Sequence, residues 1–180
     1  LFYKQDAAAL LRRELSRLDI MLRGYNREEV QREYGNAEYA GDMLVEAGSF
    51  LFGRIEAVDT DEQGSPRVRV AFSGTLPAGI ISWEGLQGAL TAHVKYKKNR
   101  WSEAEKKDLP LLLVELKPGD TVYVSVLADA GQDSPALALE RYSELQGAAL
   151  VMQRGAILAM AGGIENRYFN RAVAARRPMG

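Results

Sequence analysis

The 180-residue chain contains no cysteine and a single histidine, His93. Without cysteine the protein has no disulfide framework and no thiolate zinc site, and the sequence does not report a redox compartment. A Ser-His-Asp arrangement, or a metal site with imidazole ligands, would have to use His93. No partner motif accompanies this residue, which lies between Ala92 and Val94. The sequence therefore predicts a solvated or hydrogen-bonded surface histidine on the polar face of a strand.

An excess of charge and long apolar runs are also missing. The formal net charge is -1, so the chain lacks the basic field that would hold nucleic acid or anionic lipid. No apolar run approaches the roughly 18–20 residues that span a bilayer, and no signal-peptide pattern opens the chain. Hydrophobic residues make up 47% and charged residues 26%, which indicates a globular protein. Because the sequence begins at Leu1 without methionine, we expect a piece of a longer protein.

An amphipathic pattern over the first quarter of the chain predicts helices. Apolar side chains recur at spacings of four and three residues, as on one side of a helix: Leu11, Leu15, Leu18, Leu22 and Tyr25. Gly24 is a natural helix end, and Asn26 can cap a second helix that runs to about Tyr34. We therefore expect a helical segment over residues 1–48.

From Ser49 the hydrophobic period changes to that of strands. Alternation and turn signals predict strands at 50–61, 67–74, 77–85, 91–97, 116–129 and 135–144. A capping-box pattern from Ser102 to Glu105 predicts a short helix before the last two strands. Five or six short strands with one inserted helix are typical of a small Greek-key barrel, here an OB-like barrel over residues 49–146. The expected fold class is α+β, mainly β with flanking helices.

One basic and aromatic stretch suggests a binding function. Cations and two aromatic rings are interleaved in "HVKYKKNRW", His93–Trp101, a pattern that suits base stacking over a positive groove. Acidic residues follow at once at Glu103, Glu105 and Asp108, and they interrupt the basic stripe. An exposed hairpin or loop therefore explains the stretch better. A single-stranded nucleic-acid-binding OB domain is kept as the alternative function.

The carboxylate clusters and the glycine pair supply no candidate catalytic or ligand-binding residues. The clusters at Asp59–Glu62 and Arg27–Glu33 resemble solvated turn and helix surfaces, whereas a glycosidase needs two carboxylates that face each other across a cleft. The first cluster also lacks the glycine of an EF-hand loop. No Gly-Lys-Ser/Thr follows Ala161–Gly163, which excludes a phosphate loop there. We expect no catalytic residue, no cofactor-binding residue and no metal ligand in this chain.

The most specific pattern closes the chain: "GAILAMAGGIENRYFNRAVAARRPMG", from Gly155 to Gly180. It resembles the opening of the transpeptidase domain in class A penicillin-binding proteins, the bifunctional peptidoglycan synthases. That family has Gly-x-Ile-x-Ala-Met/Leu-x-Gly-Gly, then Phe-Asn-Arg-Ala, then Ala-x-Arg-x-x-Gly, and then the nucleophilic serine of Ser-x-x-Lys. The matching residues are Gly155, Ile157, Ala159, Met160, Gly162, Gly163, Phe169, Asn170, Arg171, Ala172, Ala175, Arg177 and Gly180. The loops before Gly155 and between Gly163 and Phe169 are shorter than is usual in the family.

The resemblance implies a domain organisation. Asp6–Tyr25 is similar to the helix that precedes the inserted barrel of such synthases, and Ile81–Leu90 and Leu116–Leu127 resemble the non-catalytic OB-like domain that many members insert. Residues 1–48 would then flank the transpeptidase domain, and residues 49–146 would form the inserted barrel. Residues 147–180 would supply the first strand and the following segment of the transpeptidase domain.

The resemblance also implies a function. The parent would be a periplasmic enzyme, anchored in the bacterial inner membrane, that polymerises glycan strands and cross-links stem peptides in cell-wall biosynthesis. The nucleophilic serine would be the residue after Gly180, so this chain would lack the catalytic residues and act as a docking or regulatory module. Its expected partners are the rest of the synthase and either an envelope lipoprotein activator or a peptidoglycan glycan strand. No nucleic acid, cofactor or membrane segment is expected.

Overall fold

A computed structural model describes residues 3–37, 47–61, 64–73, 77–99, 103–128, 134–143 and 149–161. They belong to two compact units, Leu1–Ser143 and Glu144–Gly180. The helices of the first unit are α1 (Tyr3–Arg23), α2 (Arg27–Tyr34), α3 (Trp83–Lys98) and α4 (Pro110–Leu113), with a 3-10 turn at Lys106–Asp108. Its strands are β1 (Phe50–Thr60), β2 (Pro66–Ala71), β3 (Gly79–Ile81), β4 (Thr121–Ala128) and β5 (Ala136–Glu140). The second unit contains β6 (Ala149–Gln153) and β7 (Ala156–Ala161). None of the described helices is long and apolar enough to cross a membrane.

The first five strands form a closed barrel. β1 pairs with β2 and with β4, β2 pairs with β3, and β5 lies between β3 and β4. All of these pairs are antiparallel except β3 with β5. This five-stranded closure, with α3 inserted between β3 and β4, confirms the prediction of an OB-like barrel in an α+β fold.

Two-residue alternation places one side of each strand in the barrel core. The buried side chains are Leu51, Ile55, Val68, Val70, Ile81, Val122, Val124, Val126, Leu137 and Leu139. The predicted inward alternation of β4 and β5 is thereby confirmed. A bulge between Ile55 and Ala57 shifts the phase of β1, so that Val58 pairs with the inward Val68. The core therefore consists of leucine and β-branched side chains, which suit a pleated surface.

The predicted strand at 91–97 is wrong, because these residues belong to α3. Buried side chains recur along this element at helical spacing: Leu86, Ala89, Leu90, His93 and Val94. α3 begins directly after β3, and β3 is accordingly shorter than the strand predicted at 77–85. The helix ends at Asn99, whose φ of 46° lies in the left-handed region.

The helix predicted to start at Ser102 also needs correction. Ser102 lies outside the described residues, and Glu103–Glu105 is not helical. A capping box occurs instead at Glu105 and Asp108, where the Glu105 N–H donates to the Asp108 carboxylate at 3.1 Å. It opens the 3-10 turn that leads into α4.

The helical start and its cap are as predicted, but the deeply buried side of α1 is not. Gly24 follows α1 with a φ of 76°, and the Asn26 side chain accepts a hydrogen bond from the Glu29 N–H at 3.0 Å. The most buried residues of α1 are Ser16, Asp19 and Ile20. By contrast, the side chains of the predicted stripe at Leu18 and Leu22 are 40% and 58% exposed. A polar face of α1 therefore packs against the rest of the unit.

A buried arginine explains this polar face. Arg141 follows β5 and is 0% exposed. Its backbone N–H donates to the Ser16 hydroxyl at 2.8 Å, and its guanidinium donates to the Gly24 carbonyl at 2.5 Å. The same guanidinium forms ion pairs with Asp19 on α1 and Glu33 on α2, both at 3.2 Å. Arg141 therefore fastens both helices to the end of β5, because a buried charge is stable only when it is paired and hydrogen-bonded.

Replacing Arg141 with methionine should lower the free energy of unfolding by about 3 kcal/mol, because Asp19 would stay buried with one of its two arginine partners gone. Urea denaturation followed by circular dichroism measures the loss. Arg32→Ala is the matched control, since Arg32 is exposed on α2 and has no ion pair within the described part of the chain. The control should change the free energy of unfolding by less than about 0.5 kcal/mol. Equal losses in the two variants would contradict the role assigned to Arg141.

Candidate functional site

His93 is a buried structural residue. It lies on α3 with 1% exposure, and its Nδ1 accepts a hydrogen bond from the Tyr25 N–H at 2.9 Å. The prediction of a hydrogen bond is confirmed, whereas the predicted surface position on a strand is wrong. Burial, and secondarily the charge of Lys97, lowers the pKa of His93, which keeps the ring neutral and able to accept this bond. The histidine therefore fixes the chain between α1 and α2.

The basic and aromatic stretch at His93–Trp101 is largely the end of α3. Its helical geometry directs successive cations to different sides, so they do not form one positive groove. Tyr96 is 47% exposed, and Lys98 forms an ion pair with the carboxylate of Asp108. Arg100 and Trp101 lie outside the described residues. The part of the stretch that is described therefore lacks the arrangement needed for stacking bases.

The outer face of β2 and β3 is where OB folds bind oligonucleotides, so its composition bears on the alternative function. Arg67 and Arg69 alternate outward on β2. Ile80 of β3 pairs with Arg69, and the carboxylate-bearing Asp59 of β1 pairs with Arg67. The described residues of these two strands include no aromatic side chain. This face offers two cations but no stacking platform.

The carboxylate clusters serve the fold. Asp61 accepts a hydrogen bond from the Ser65 N–H at 2.7 Å in the turn between β1 and β2, while Glu62 lies outside the described residues. On α2, Glu29 and Glu33 pair with Arg23 as well as with Arg141, so this cluster is more than the solvated helix surface that was predicted. Among the described residues, no group of three or more acidic or histidine side chains could hold a metal ion.

Glu140 is a buried carboxylate that sequence reasoning missed. It is 2% exposed on β5, accepts a hydrogen bond from the Ser125 hydroxyl at 2.8 Å and lies 3.4 Å from Arg13. Burial raises the pKa of Glu140, against hydrogen bonds from Ser16 and Ser125 that lower it. The cavity beside it has a volume of only about 50 Å³, which leaves no room for a substrate. Glu140 is therefore a packing partner of α1. The burial of Glu140 depends on the packing of α1 over β5, which local sequence patterns do not show.

A groove lies between α1 and α3. Its volume is about 470 Å³. Apolar and small residues line it on both helices: Leu18, Met21, Gly88 and Ala92. Charged side chains from α1, α3 and the segment after α3 also line it: Glu14, Arg17, Glu84, Lys95 and Glu103. A groove lined by both apolar and charged side chains suits an amphipathic segment.

β6 and β7 form a two-stranded antiparallel sheet. Their turn has two residues with positive φ, Arg154 at 49° and Gly155 at 81°, as in a type I′ hairpin. Large apolar side chains on this hairpin are about half exposed: Val151, Met152, Ile157, Leu158 and Met160. Successive residues such as Ile157 and Leu158 point to opposite faces, so both faces of the hairpin are apolar. Apolar residues on both faces are typical of strands that are covered on both sides.

The hairpin carries four of the residues that match the penicillin-binding protein pattern: Gly155, Ile157, Ala159 and Met160. The other matching residues, Gly162–Gly180, lie outside the described residues. No protein-family model matches the chain, and no curated protein matches it either. The expectation of a family therefore depends on the sequence motif.

We expect the chain to lose stability as the pH falls. The lowered pKa of His93 means that the folded state favours the neutral ring, while the unfolded chain takes up a proton near the ordinary value of 6.5. The stabilisation is therefore present above pH 6.5 and is lost as the pH falls through the folded-state pKa. Urea unfolding between about pH 7.5 and about pH 5 measures this loss.

His93→Asn is the comparison, since its side-chain oxygen can replace Nδ1 as the acceptor and does not titrate. The stability advantage of the wild type over this variant should shrink as the pH falls, because the carboxylates common to both chains cancel. An advantage that stays constant over the whole pH range would rule out the role of His93.

Proposed function

We propose that this chain is a non-catalytic docking and regulatory module of a periplasmic class A penicillin-binding protein. The observation that carries the proposal is the hairpin of β6 and β7. The family motif coincides there with a strand, and both faces of the hairpin are apolar, as expected for the first strands of a larger domain. The serine nucleophile would follow Gly180, outside this chain.

The composition of the first unit supports a binding role. A closed barrel is a rigid scaffold that displays side chains without the need for catalytic groups. Among the described residues, the titratable groups that are buried are used in packing, as His93 and Glu140 are. The module would contact the rest of the synthase and either an envelope lipoprotein activator or a glycan strand, and so bias the neighbouring active site. It requires no cofactor.

The 180-residue chain should not react with penicillin. A fluorescent penicillin should leave the chain unlabelled on a denaturing gel, because a serine acyl-enzyme needs the Ser-x-x-Lys nucleophile. The longer protein encoded by the same gene should be labelled, and replacement of the serine after Gly180 with alanine should abolish the labelling. Covalent labelling of the 180-residue chain would defeat the proposal, as would a gene without Ser-x-x-Lys directly after Gly180.

The alternative of a nucleic-acid-binding OB domain is tested separately. A fluorescently labelled single-stranded oligonucleotide should show no change in anisotropy with the chain at about 50 mM salt, where phosphate contacts are strong. The physical reason is the lack of aromatic side chains on the described face of β2 and β3. Binding that weakens with salt and is lost in the Arg67→Glu and Arg69→Glu variants would favour the alternative instead.

A further inference from the structure

The groove between α1 and α3 continues into exposed apolar surface. It is lined by Leu18, which is 40% exposed, and by Met21. One helical turn further along α1, Leu22 is 58% exposed. Tyr96 of α3 is 47% exposed, and its ring lies against Gly24 at the end of α1. Neighbouring exposed apolar side chains of this size mark interaction sites on soluble proteins.

The leucines of α1 have the spacing of a helix–helix contact. Leu11, Leu15, Leu18 and Leu22 follow one another at intervals of four, three and four residues, which is the 3.5-residue repeat of a coiled-coil seam. The side of α1 buried in the unit is a different one and contains Ser16, Asp19 and Ile20. The C-terminal half of the leucine seam is thus available to another helix, and α3 forms the second wall.

The wall on α3 includes two small residues. Gly88 and Ala92 lie four residues apart on this helix, and both line the groove. Glycine inside a helix is unfavourable relative to alanine, so a role in packing or binding is expected where it occurs. At Gly88 the guanidinium of Arg17 lies over the helix, where a Cβ would approach its Nε to 3.1 Å. Gly88 therefore makes room for the Arg17 side chain between α1 and α3.

Acidic side chains outnumber basic ones among the residues that line the groove, with Glu14, Glu84 and Glu103 against Arg17 and Lys95. Arg17 pairs with Glu14 at 2.8 Å. Glu84 and Glu103 are exposed and form no ion pair within the described part of the chain. Their charges would be complemented by lysine or arginine on a segment that lies in the groove.

From this geometry we infer that the groove binds a basic amphipathic helix of a partner protein. Leu18, Met21 and the adjoining Leu22 take the apolar stripe of that helix, and Glu84 and Glu103 take its flanking cations. The inference rests on the proposed docking function for its biological role. It specifies the surface that is used and the chemistry of the partner.

The probe is a fluorescently labelled peptide of about three heptads, with leucine at the a and d positions and lysine at the flanking e and g positions. Its twin carries glutamate in place of lysine. Fluorescence anisotropy with the 180-residue chain should show saturable binding of the lysine peptide and at least about tenfold weaker binding of the glutamate peptide. No binding of the lysine peptide, or equal binding of both peptides, would overturn the inference.

Variants locate the site. Leu18→Glu and Leu22→Glu should each weaken binding at least about tenfold, whereas Val114→Glu should not change it, since Val114 is 64% exposed and does not line the groove. Glu84→Lys and Glu103→Lys, each made alone, should also weaken binding, with Glu56→Lys on β1 as the charge-matched control. Circular dichroism checks that every variant is folded. Equal effects in the groove variants and their controls would contradict the site.

Sedimentation of the chain alone tests a different occupant. The inference expects a monomer, or an association that Leu18→Glu and Leu22→Glu leave unchanged. A dimer that these variants dissociate would show that a second copy of the chain fills the groove. This result would overturn the inference that the groove binds a helix of a partner protein. None of these measurements depends on residues 155–180. The binding role of the groove can therefore be contradicted while the penicillin experiment gives its expected result. The penicillin experiment can likewise contradict the proposed function while the groove binds the lysine peptide.

Discussion

A guanidinium that has no contact with water must find all of its partners inside the protein, and Arg141 imposes this requirement on the first unit. Its partners come from three places: Asp19 on α1, the Gly24 carbonyl at the end of α1, and both Glu29 and Glu33 on α2. All three have to lie close to the end of β5. The positions of both helices relative to the barrel are therefore fixed by electrostatics as well as by apolar packing. Because each ion is stable only if the others are in place, the cluster favours one arrangement of these elements.

The same requirement explains why α1 does not bury its leucine stripe. Asp19 and Ser16 must face Arg141, and this rotation of the helix turns Leu18 and Leu22 away from the barrel. Hydrophobic burial would favour the opposite rotation, since each leucine side chain gains about 1.5–3 kcal/mol when it is fully buried. Desolvation of an unpaired arginine would cost more than this gain, so the ionic cluster determines the outcome. The groove between α1 and α3 follows from that compromise.

Local sequence patterns predicted those elements of the fold whose geometry depends on residues close together in the sequence. The alternation of Val122, Val124 and Val126 identified a strand, and Asn26 and Gly24 identified helix ends, because these signals depend on near neighbours. The alternation of Ala92, Val94 and Tyr96 predicts a strand at 91–97. This alternation covers too short a window to exclude a helix, and the prediction is therefore wrong.

The burial of Glu140 and Arg141 could not be predicted from such patterns. Ser16 is 125 residues from Arg141 in sequence, so only the assembled fold brings the two together. For the same reason the candidate groove was not foreseen, although the leucine spacing that contributes to it was visible in the sequence.

The two units differ in how another chain could add to them. The barrel is closed, so its five strands present no free edge of the kind that accepts an additional strand. Recognition by the first unit is therefore expected through side chains on its helices and loops, and a groove between two helices suits a helical ligand. β6 and β7 pair only with each other among the described strands. The apolar residues on both faces of this hairpin are typical of strands that are covered on both sides, whereas each strand of the barrel turns one side to the core. The docking proposed for the first unit and the burial of the hairpin would therefore be separate physical demands within one chain.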